Sequence, residues 1–411
     1  MRLGMTLGVS ALILASCGSA EQETATEPVA TVSAEETFMT QLIEAKPGDV
    51  ITLPEGTLSF NRGLSLAVDG VTIRGAGMDK TILDFSGQIA GAEGLLVTAS
   101  DFLIEDLAIM DTKGDALKVT EGSNITIRNI KTAWSGDPRT ENGAYGVYPV
   151  QTTNVLMEGI VAYGASDAGI YVGQSKDVIV RNSLAEFNVA GIEVENTINA
   201  DVYGNVARNN TGGILVFNMP ALQQTGYGTR VYNNDVYENN TPNFGHPGTP
   251  VASVVAGSGV VVNSNDGVEI FENTLRDNKT AHVIISSLFS TGYQGGDQAS
   301  DFDPFPESIF IYDNAYTGGG DAPGMPELAA LKTAVFGPDG SFPSVVWDGF
   351  IDPSKFVDGA LPADKKICVA GEGAMVLNVD GPNGFTSPSV DQGMFQCTLE
   401  KLPAVDLGRD Q

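Results

Sequence analysis

Apolar residues recur along the middle of this chain in short triplets, each followed by a polar or glycine corner. An Asn, Asp or Gly stands two residues after an apolar position at Gly75, Asp106, Asn129, Gly159, Asn182, Asn205, Asn234, Asn273 and Asn314. The steps are 31, 23, 30, 23, 23, 29, 39 and 41 residues, so a short unit recurs and the longer steps carry insertions.

The alignment is tightest between Leu117 and Asn205. Leu117 to Asn129, Val147 to Gly159 and Ile170 to Asn182 superpose without a gap, and Ile192 to Asn205 needs one extra residue. Each copy opens with a strand-like triplet (LKV, VYP, IYV, IEV), turns a polar corner and enters a second (ITI, VLM, VIV, DVY). No copy keeps a 3.6-residue period for more than a turn or two, so the unit reads strand, turn, strand, turn. One such unit cannot bury its apolar face, whereas stacked coils bury a continuous one. Stacking places equivalent residues about 4.8 Å apart. The Asn series is therefore expected to form one inward ladder, amide bonded to amide, at corners whose left-handed backbone Asn tolerates.

The ends differ from the middle. Residues 35–45 place Phe38, Leu42 and Ile43 near one helical face before Pro47-Gly48-Asp49 stops the helix, as a cap on the first coil would. The coils run to about residue 317, where Gly318-Gly319-Gly320 breaks the pattern, and 318–411 reads as a small C-terminal cap. Insertions are expected at 131–146, 218–230, 240–258 and 288–306, where binding loops gather on solenoids.

Charge and the N-terminus narrow the setting. With 22 basic and 51 acidic residues the chain carries a net charge of −29, which argues against a nucleic-acid partner and makes an unassisted polyanion awkward. Residues 1–17 have the layout of a secretory signal, too short to span a bilayer as a permanent helix. Their end, Leu14-Ala15-Ser16-Cys17, resembles a bacterial lipobox, which implies lipidation of Cys17 and membrane contact through that anchor only. Residues 18–34, rich in Glu, Thr, Ala and Ser, read as a flexible tether. Cys368 and Cys397 are the other cysteines, and in an exported protein an even pair reads as a disulfide.

The stretch DVITLPEGTLSF with VTIRGAGMDKTILDFSG resembles the opening of pectin-lyase-like right-handed β-helix proteins. The runs GAYGVYPVQTTNV, ASDAGIYVGQS, NVAGIEVENT and NTGGILVFNMP are similar to a family of exported parallel β-helix repeat proteins of Gram-negative bacteria. The resemblance covers roughly residues 38–400. It implies an all-β, right-handed parallel β-helix solenoid over 35–317, a lipid-anchored cell-envelope location at the outer membrane, and an exported c-type cytochrome protein as a candidate neighbour. It supplies no catalytic residue.

Chemistry has to come from the outward positions. Period-two alternation turns Lys118, Tyr148, Tyr171, Glu193 and Leu215 outward as one column, with Thr120, Val150, Gly173, Glu195 and Phe217 beside it. Tyr148, Tyr171, Glu193 and Phe217 would form an exposed carbohydrate-binding platform, since rings stack on apolar sugar faces while carboxylates meet hydroxyls. Lys118, Tyr171, Glu193 and Glu195 are also candidates for the acid–base chemistry of a polysaccharide lyase, epimerase or glycosidase. Asp137-Pro138-Arg139, expected to flank the column, resembles the Asp-Pro-His-Asp motif of alginate epimerases without its His, which makes Asp137 and Arg139 weaker candidates. His246 and His282 fall in separate coils and read as loop or corner contacts. No metal site or cofactor is indicated; calcium would suit so acidic a chain, but the tandem Gly-Gly-x-Gly-x-Asp repeat is missing. Three readings result: a module that binds a polysaccharide, an enzyme that processes one, and a non-catalytic scaffold for an envelope protein partner.

The anchor has a direct test. Cys17→Ser is expected to move the protein from the membrane fraction to the soluble one, and a variant that still needs detergent for extraction would refute lipidation at Cys17.

Overall fold

The computed structural model describes residues 33–291 and 302–408; the signal segment, Cys17 and nearly all of the tether lie outside these residues. Among the described residues short strands alternate between two sheets, and within each sheet every strand-to-strand pairing is parallel. One sheet has eleven strands: Arg62–Leu66, Ala90–Val97, Leu117–Thr120, Tyr145–Val150, Ala168–Gly173, Ala190–Glu195, Gly212–Phe217, Ser258–Asn263, Ala281–Ser286, Val345–Trp347 and Val376–Asn378. The other has nineteen and takes two strands from a typical coil, such as Lys176–Arg181 and Leu184–Glu186.

The register explains the core. Ile170, Ile192, Ile214, Val260, Val283 and Val345 are successive partners in the eleven-stranded sheet, and all are fully buried. Each contributes about 1.5–3 kcal/mol relative to an exposed side chain. Branched side chains suit this stack because their restricted rotamers repeat from coil to coil.

The expected single Asn column is two columns one residue apart. Asp106, Asn129, Gly159 and Asn182 hold positive φ values of 61°, 50°, 65° and 53° at a corner that is not fully buried, and Gly204, not Asn205, continues their series. The inward ladder is Asn205, Asn234, Asn273 and Asn314, each Nδ2 donating to the next Oδ1 at 3.0, 3.0 and 2.9 Å. Those same oxygens accept the preceding Asn's backbone N–H at 3.0 Å. The extra residue in Ile192–Asn205 is the offset between the columns. A second ladder, not expected from the sequence, runs through Asn188, Asn210, Asn239 and Asn278 with amide contacts of 3.1, 3.0 and 3.1 Å.

Charge cannot stack like on like, and it alternates instead. Arg74, Glu105, Arg128, Glu158 and Arg181 are successive partners on the nineteen-stranded sheet, with ion pairs of 2.6, 3.7, 3.3 and 2.9 Å.

At the start, helix Ala34–Glu44 lays Phe38 and Leu42 on the first coil, and the Phe38 ring meets Phe60 at 6.1 Å. Ile43, expected on the same face, is 83% exposed. Five residues after Phe38 it lies about 140° around the helix. At the other end both sheets continue past 317: Val345–Trp347, Ile367–Val369 and Val376–Asn378 add to them, with helix Pro326–Phe336 inserted between coils. Cys368 and Cys397 are disulfide-bonded. From Cys397 the tail returns over the nineteen-stranded sheet, where the Val405 N–H donates to Asp201 Oδ2 at 3.2 Å and Leu407 packs on Leu156 and Ile179.

Asn234→Leu should strand its corner partners and lower unfolding stability by about 1–3 kcal/mol. A denaturation midpoint equal to wild type would show that the ladder amides contribute nothing net.

Candidate functional site

The eleven-stranded sheet turns its second face away from the core. Lys118 pairs with Tyr148, Tyr171 with Glu193 and Glu193 with Leu215; beside them Thr120 pairs with Val150, Val150 with Gly173, Gly173 with Glu195 and Glu195 with Phe217. The expected columns exist, but much of the expected exposure does not. Tyr171, Glu193, Leu215 and Phe217 are 3%, 4%, 0% and 5% exposed.

Two insertions cover them. Met219, Val251 and Val254, with the half-buried Leu222 and Phe244, pack into one apolar cluster with Tyr171, Leu215 and Phe217. The first insertion is pinned at a coil corner: Asn196 Nδ2 donates to the carbonyls of Met219 and Gln224 at 3.1 and 2.7 Å, and Gln224 Nε2 donates to that of Ser175 at 2.9 Å. The second is held by Asn243, whose Nδ2 donates to the carbonyls of Val251 and Val254 at 3.0 and 2.9 Å. A flat platform of Tyr148, Tyr171, Glu193 and Phe217 is thereby replaced by a recessed patch beneath the insertions, in which Phe217 and Leu215 are packed out of solvent and Tyr148 stays half-buried.

Beside these packed residues lie carboxyls and tyrosines. The rings of Tyr145, Tyr148 and Tyr171 form a triangle with centroid separations of 4.4, 4.7 and 4.8 Å. The Tyr171 hydroxyl donates to Glu195 Oε2. Gly173 makes this contact feasible, because a Cβ there would collide with the Tyr171 ring. The Tyr145 hydroxyl bonds to Asp167, and its backbone N–H donates to Asp115. Lys118 Nζ lies 3.8 Å from Asp115, 4.0 Å from Glu93 and 4.8 Å from the centroid of Tyr148. Glu93, Asp115, Lys118, Tyr145, Tyr148, Asp167 and Glu195 are half-buried, with Glu93, Asp115, Lys118 and Tyr148 forming the outer group.

Burial sets the protonation. It pushes the Asp167 carboxyl up to about 8, with the charge of Glu195 adding to the effect and the Tyr145 bond opposing it. Glu193 is raised well above the usual carboxylate range by burial and then by Asp167 and Glu195, and its Oε2 has no hydrogen-bond partner. Glu195 is raised by burial against the Tyr171 bond. Asp115 reaches about 6 through burial, held back by Lys118. Burial also raises the three tyrosines, so they remain neutral donors. The cluster thus sets carboxyls that burial pushes strongly toward the protonated form beside Asp115, raised only to about 6, the raw material of general acid–base chemistry.

The sequence missed Asp115, Asp167 and Tyr145. A signal was there: an Asp precedes the strand in both Asp115-Ala116-Leu117-Lys118 and Asp167-Ala168-Gly169-Ile170-Tyr171.

Other candidates fall elsewhere. Asp137 is exposed on the side of Tyr163, and Arg139 lines an open groove with Asp84, Asp111 and Lys113, against the nineteen-stranded sheet. The insertion fails to flank the column because Trp134 is buried with its Nε1 donating to the Thr112 carbonyl at 2.7 Å, which turns the loop to that other face. His246 is exposed in its loop; His282 is buried, its Nε2 2.9 Å from the Gly318 carbonyl.

Asp266, Asp303 and Glu307 bring carboxyl oxygens within 4.8 Å of one another, a spacing that could hold a metal. Lys355 already bridges Asp303 and Glu307, and Lys365 lies 3.4 Å from Glu307, so the trio reads as an ion-pair cluster.

Residues 65–236 match the family model described as a right handed beta helix region. No curated protein matches the chain. Among solved structures it is similar to the A-module of the mannuronan C-5 epimerase AlgE4 of Azotobacter vinelandii: 19% identity, TM-score 0.45, 73% of this chain and 83% of that one. It is similar to an alginate lyase from Paenibacillus sp. str. FPU-7: 18% identity, TM-score 0.39, 70% of this chain and 96% of that one. It is also similar to the tailspike protein of E. coli bacteriophage HK620 in complex with a pentasaccharide: 10% identity, TM-score 0.45, 74% of this chain and 54% of that one. Nothing about the chemistry of this chain follows from likeness at that level. The matched repeat region and the parallel pairing between successive coils give the chain a right-handed parallel β-helix fold.

Proposed function

We propose that this protein, held at the cell envelope through Cys17, binds and processes a polysaccharide in the recess lined by Tyr145, Tyr148, Asp167, Tyr171, Glu193 and Glu195. One observation carries the reading: Glu193 is buried with an unpartnered oxygen beside two further carboxyls. A solenoid needs no such group. The outward neighbour of Glu193 in the next coil is Leu215, and an apolar residue at 193 would remove the cost of burying a carboxyl.

In this reading the half-exposed Tyr148 offers its ring to an apolar sugar face, and the recess wall excludes water. Asp167, whose carboxyl burial pushes up to about 8, acts as general acid toward a glycosidic oxygen. Glu195, oriented by the Tyr171 hydroxyl, acts as base once it ionises. The reaction itself is left open among hydrolysis, elimination and epimerisation.

A glycan screen of the soluble form starting at Gly18 identifies the substrate. On it, Asp167→Asn is expected to lower turnover on the order of 100-fold with affinity nearly unchanged, and Glu193→Gln to lower turnover comparably while weakening binding. Undiminished turnover in both variants would remove catalysis from this recess, and unaltered binding in a Tyr148→Ala, Glu193→Gln double variant would remove the binding site as well. The scaffold reading would then take its place.

Protonation is testable without a substrate. Because the folded carboxyl of Asp167 titrates near 8 while an unfolded Asp titrates near 4, the folded state binds the extra proton between those values. Its contribution is therefore fully favourable below about pH 4 and falls as pH rises toward 8. Asp167→Asn is expected to raise the melting temperature at pH 8 and to have its smallest effect near pH 4. A shift independent of pH would mean that Asp167 is ionised throughout.

A further inference from the structure

We infer that the recess selects a glycan carrying protonated amino groups, an amino-sugar polymer, over neutral chains and over polyuronates. The inference rests on the polysaccharide reading and specifies its substrate class.

The first observation is the charge inventory. Five carboxyls line the recess and its rim: Glu93, Asp115, Asp167, Glu193 and Glu195. The cation identified among them is Lys118, and its ammonium is already shared between Asp115 at 3.8 Å and Glu93 at 4.0 Å. A uronate entering here finds no unpaired cation and adds its own charge to carboxyls that repel one another. Nor do these carboxyls form a group of three converging on one point. Among the described residues, the group of carboxylates that converges within 4.8 Å is Asp266, Asp303 and Glu307, outside this recess.

The second observation is what the site does with the cation it has. Lys118 Nζ sits 4.8 Å from the centroid of Tyr148, flanked by two carboxyls. Ammonium beside an aromatic face and between acids is the arrangement that recognises organic cations. Deeper in, Tyr145 and Tyr171 stand beside Asp167, Glu193 and Glu195 with no cation among them, and Glu193 Oε2 is buried without a partner. The inner half repeats the outer half with its ammonium missing. A substrate amine would supply it, donating to Glu193 Oε2 and allowing that carboxyl to ionise with release of its proton. The net charge of −29 favours approach of a polycation over long range.

The experiment is calorimetric titration of the soluble form at pH 6.5 with three oligosaccharides of equal length: a glucosamine oligomer, its fully N-acetylated counterpart and an oligouronate. Runs in two buffers of different ionisation enthalpy read the proton. The expected result is at least tenfold tighter binding of the glucosamine oligomer than of the acetylated one, no measurable uronate binding, and proton release with the amine alone. Glu193→Gln with Glu195→Gln should abolish the preference. If the double variant keeps it, the amine is held by the acidic surface at large and the proposal falls. It falls also if the acetylated oligomer or the uronate binds as well as the amine, although a glycan site would then stand. Binding of none of the three, with an empty wider screen, would overturn the polysaccharide reading together with this one.

Discussion

A parallel coil sets each residue about 4.8 Å above its counterpart, and nearly everything in this molecule is an answer to that spacing. Aliphatic side chains accept it directly, as in the column from Ile170 to Val345. Amides accept it because one end donates and the other accepts, so each Asn ladder satisfies itself and its corner backbone together. Rings accept it by stacking: Tyr203, Tyr232, Phe271 and Tyr312 follow one another at 4.8, 4.8 and 5.0 Å, nearly parallel. Like charges do not accept it. On the nineteen-stranded sheet the conflict is removed by alternating Arg with Glu, so that each carboxylate meets a guanidinium.

The recess on the eleven-stranded sheet handles the same conflict differently. Glu193 and Glu195 occupy adjacent outward columns of one strand, Asp167 lies just before the preceding strand, and no arginine is interleaved. Burial beneath the insertions instead pushes these carboxyls toward their protonated forms. That contrast marks the site more firmly than residue type alone, since the chain evidently has the means to neutralise stacked acids and uses them elsewhere.

The fold was legible because its signal is repetitive. Triplets and corners recur, and an error in one copy is corrected by the next. The ladder was misread by one residue because Asp106, Asn129 and Asn182 have the composition of an inward ladder while serving as left-handed corners; chemistry that suits Asn in both roles does not say which it fills. The outward columns followed from alternation alone, and the register confirms Lys118, Tyr148, Tyr171, Glu193 and Leu215 as a series. Their burial did not follow, because it depends on where Met219, Val251 and Val254 fold back, and insertions carry no period. Asp115 and Asp167 were passed over because their corner positions, though each precedes a strand, lie outside the alternation that drew attention to Tyr171.

The returning tail changes the mechanics of the whole. A stack in which each coil touches only its neighbours behaves as a one-dimensional chain, free to fray from whichever end is weaker. Here the segment beyond Cys397 lies across earlier turns: Lys401 over Tyr312, Leu402 at Glu269, Val405 at Asp201 and Leu407 on Leu156. Loosening the last turn is thereby coupled to the middle, because the disulfide joins the strap to a strand at the far end. Such a cross-tie converts local fraying into a collective event. It gives a stack of coils held mainly by neighbour contacts some of the cooperativity of a globular fold.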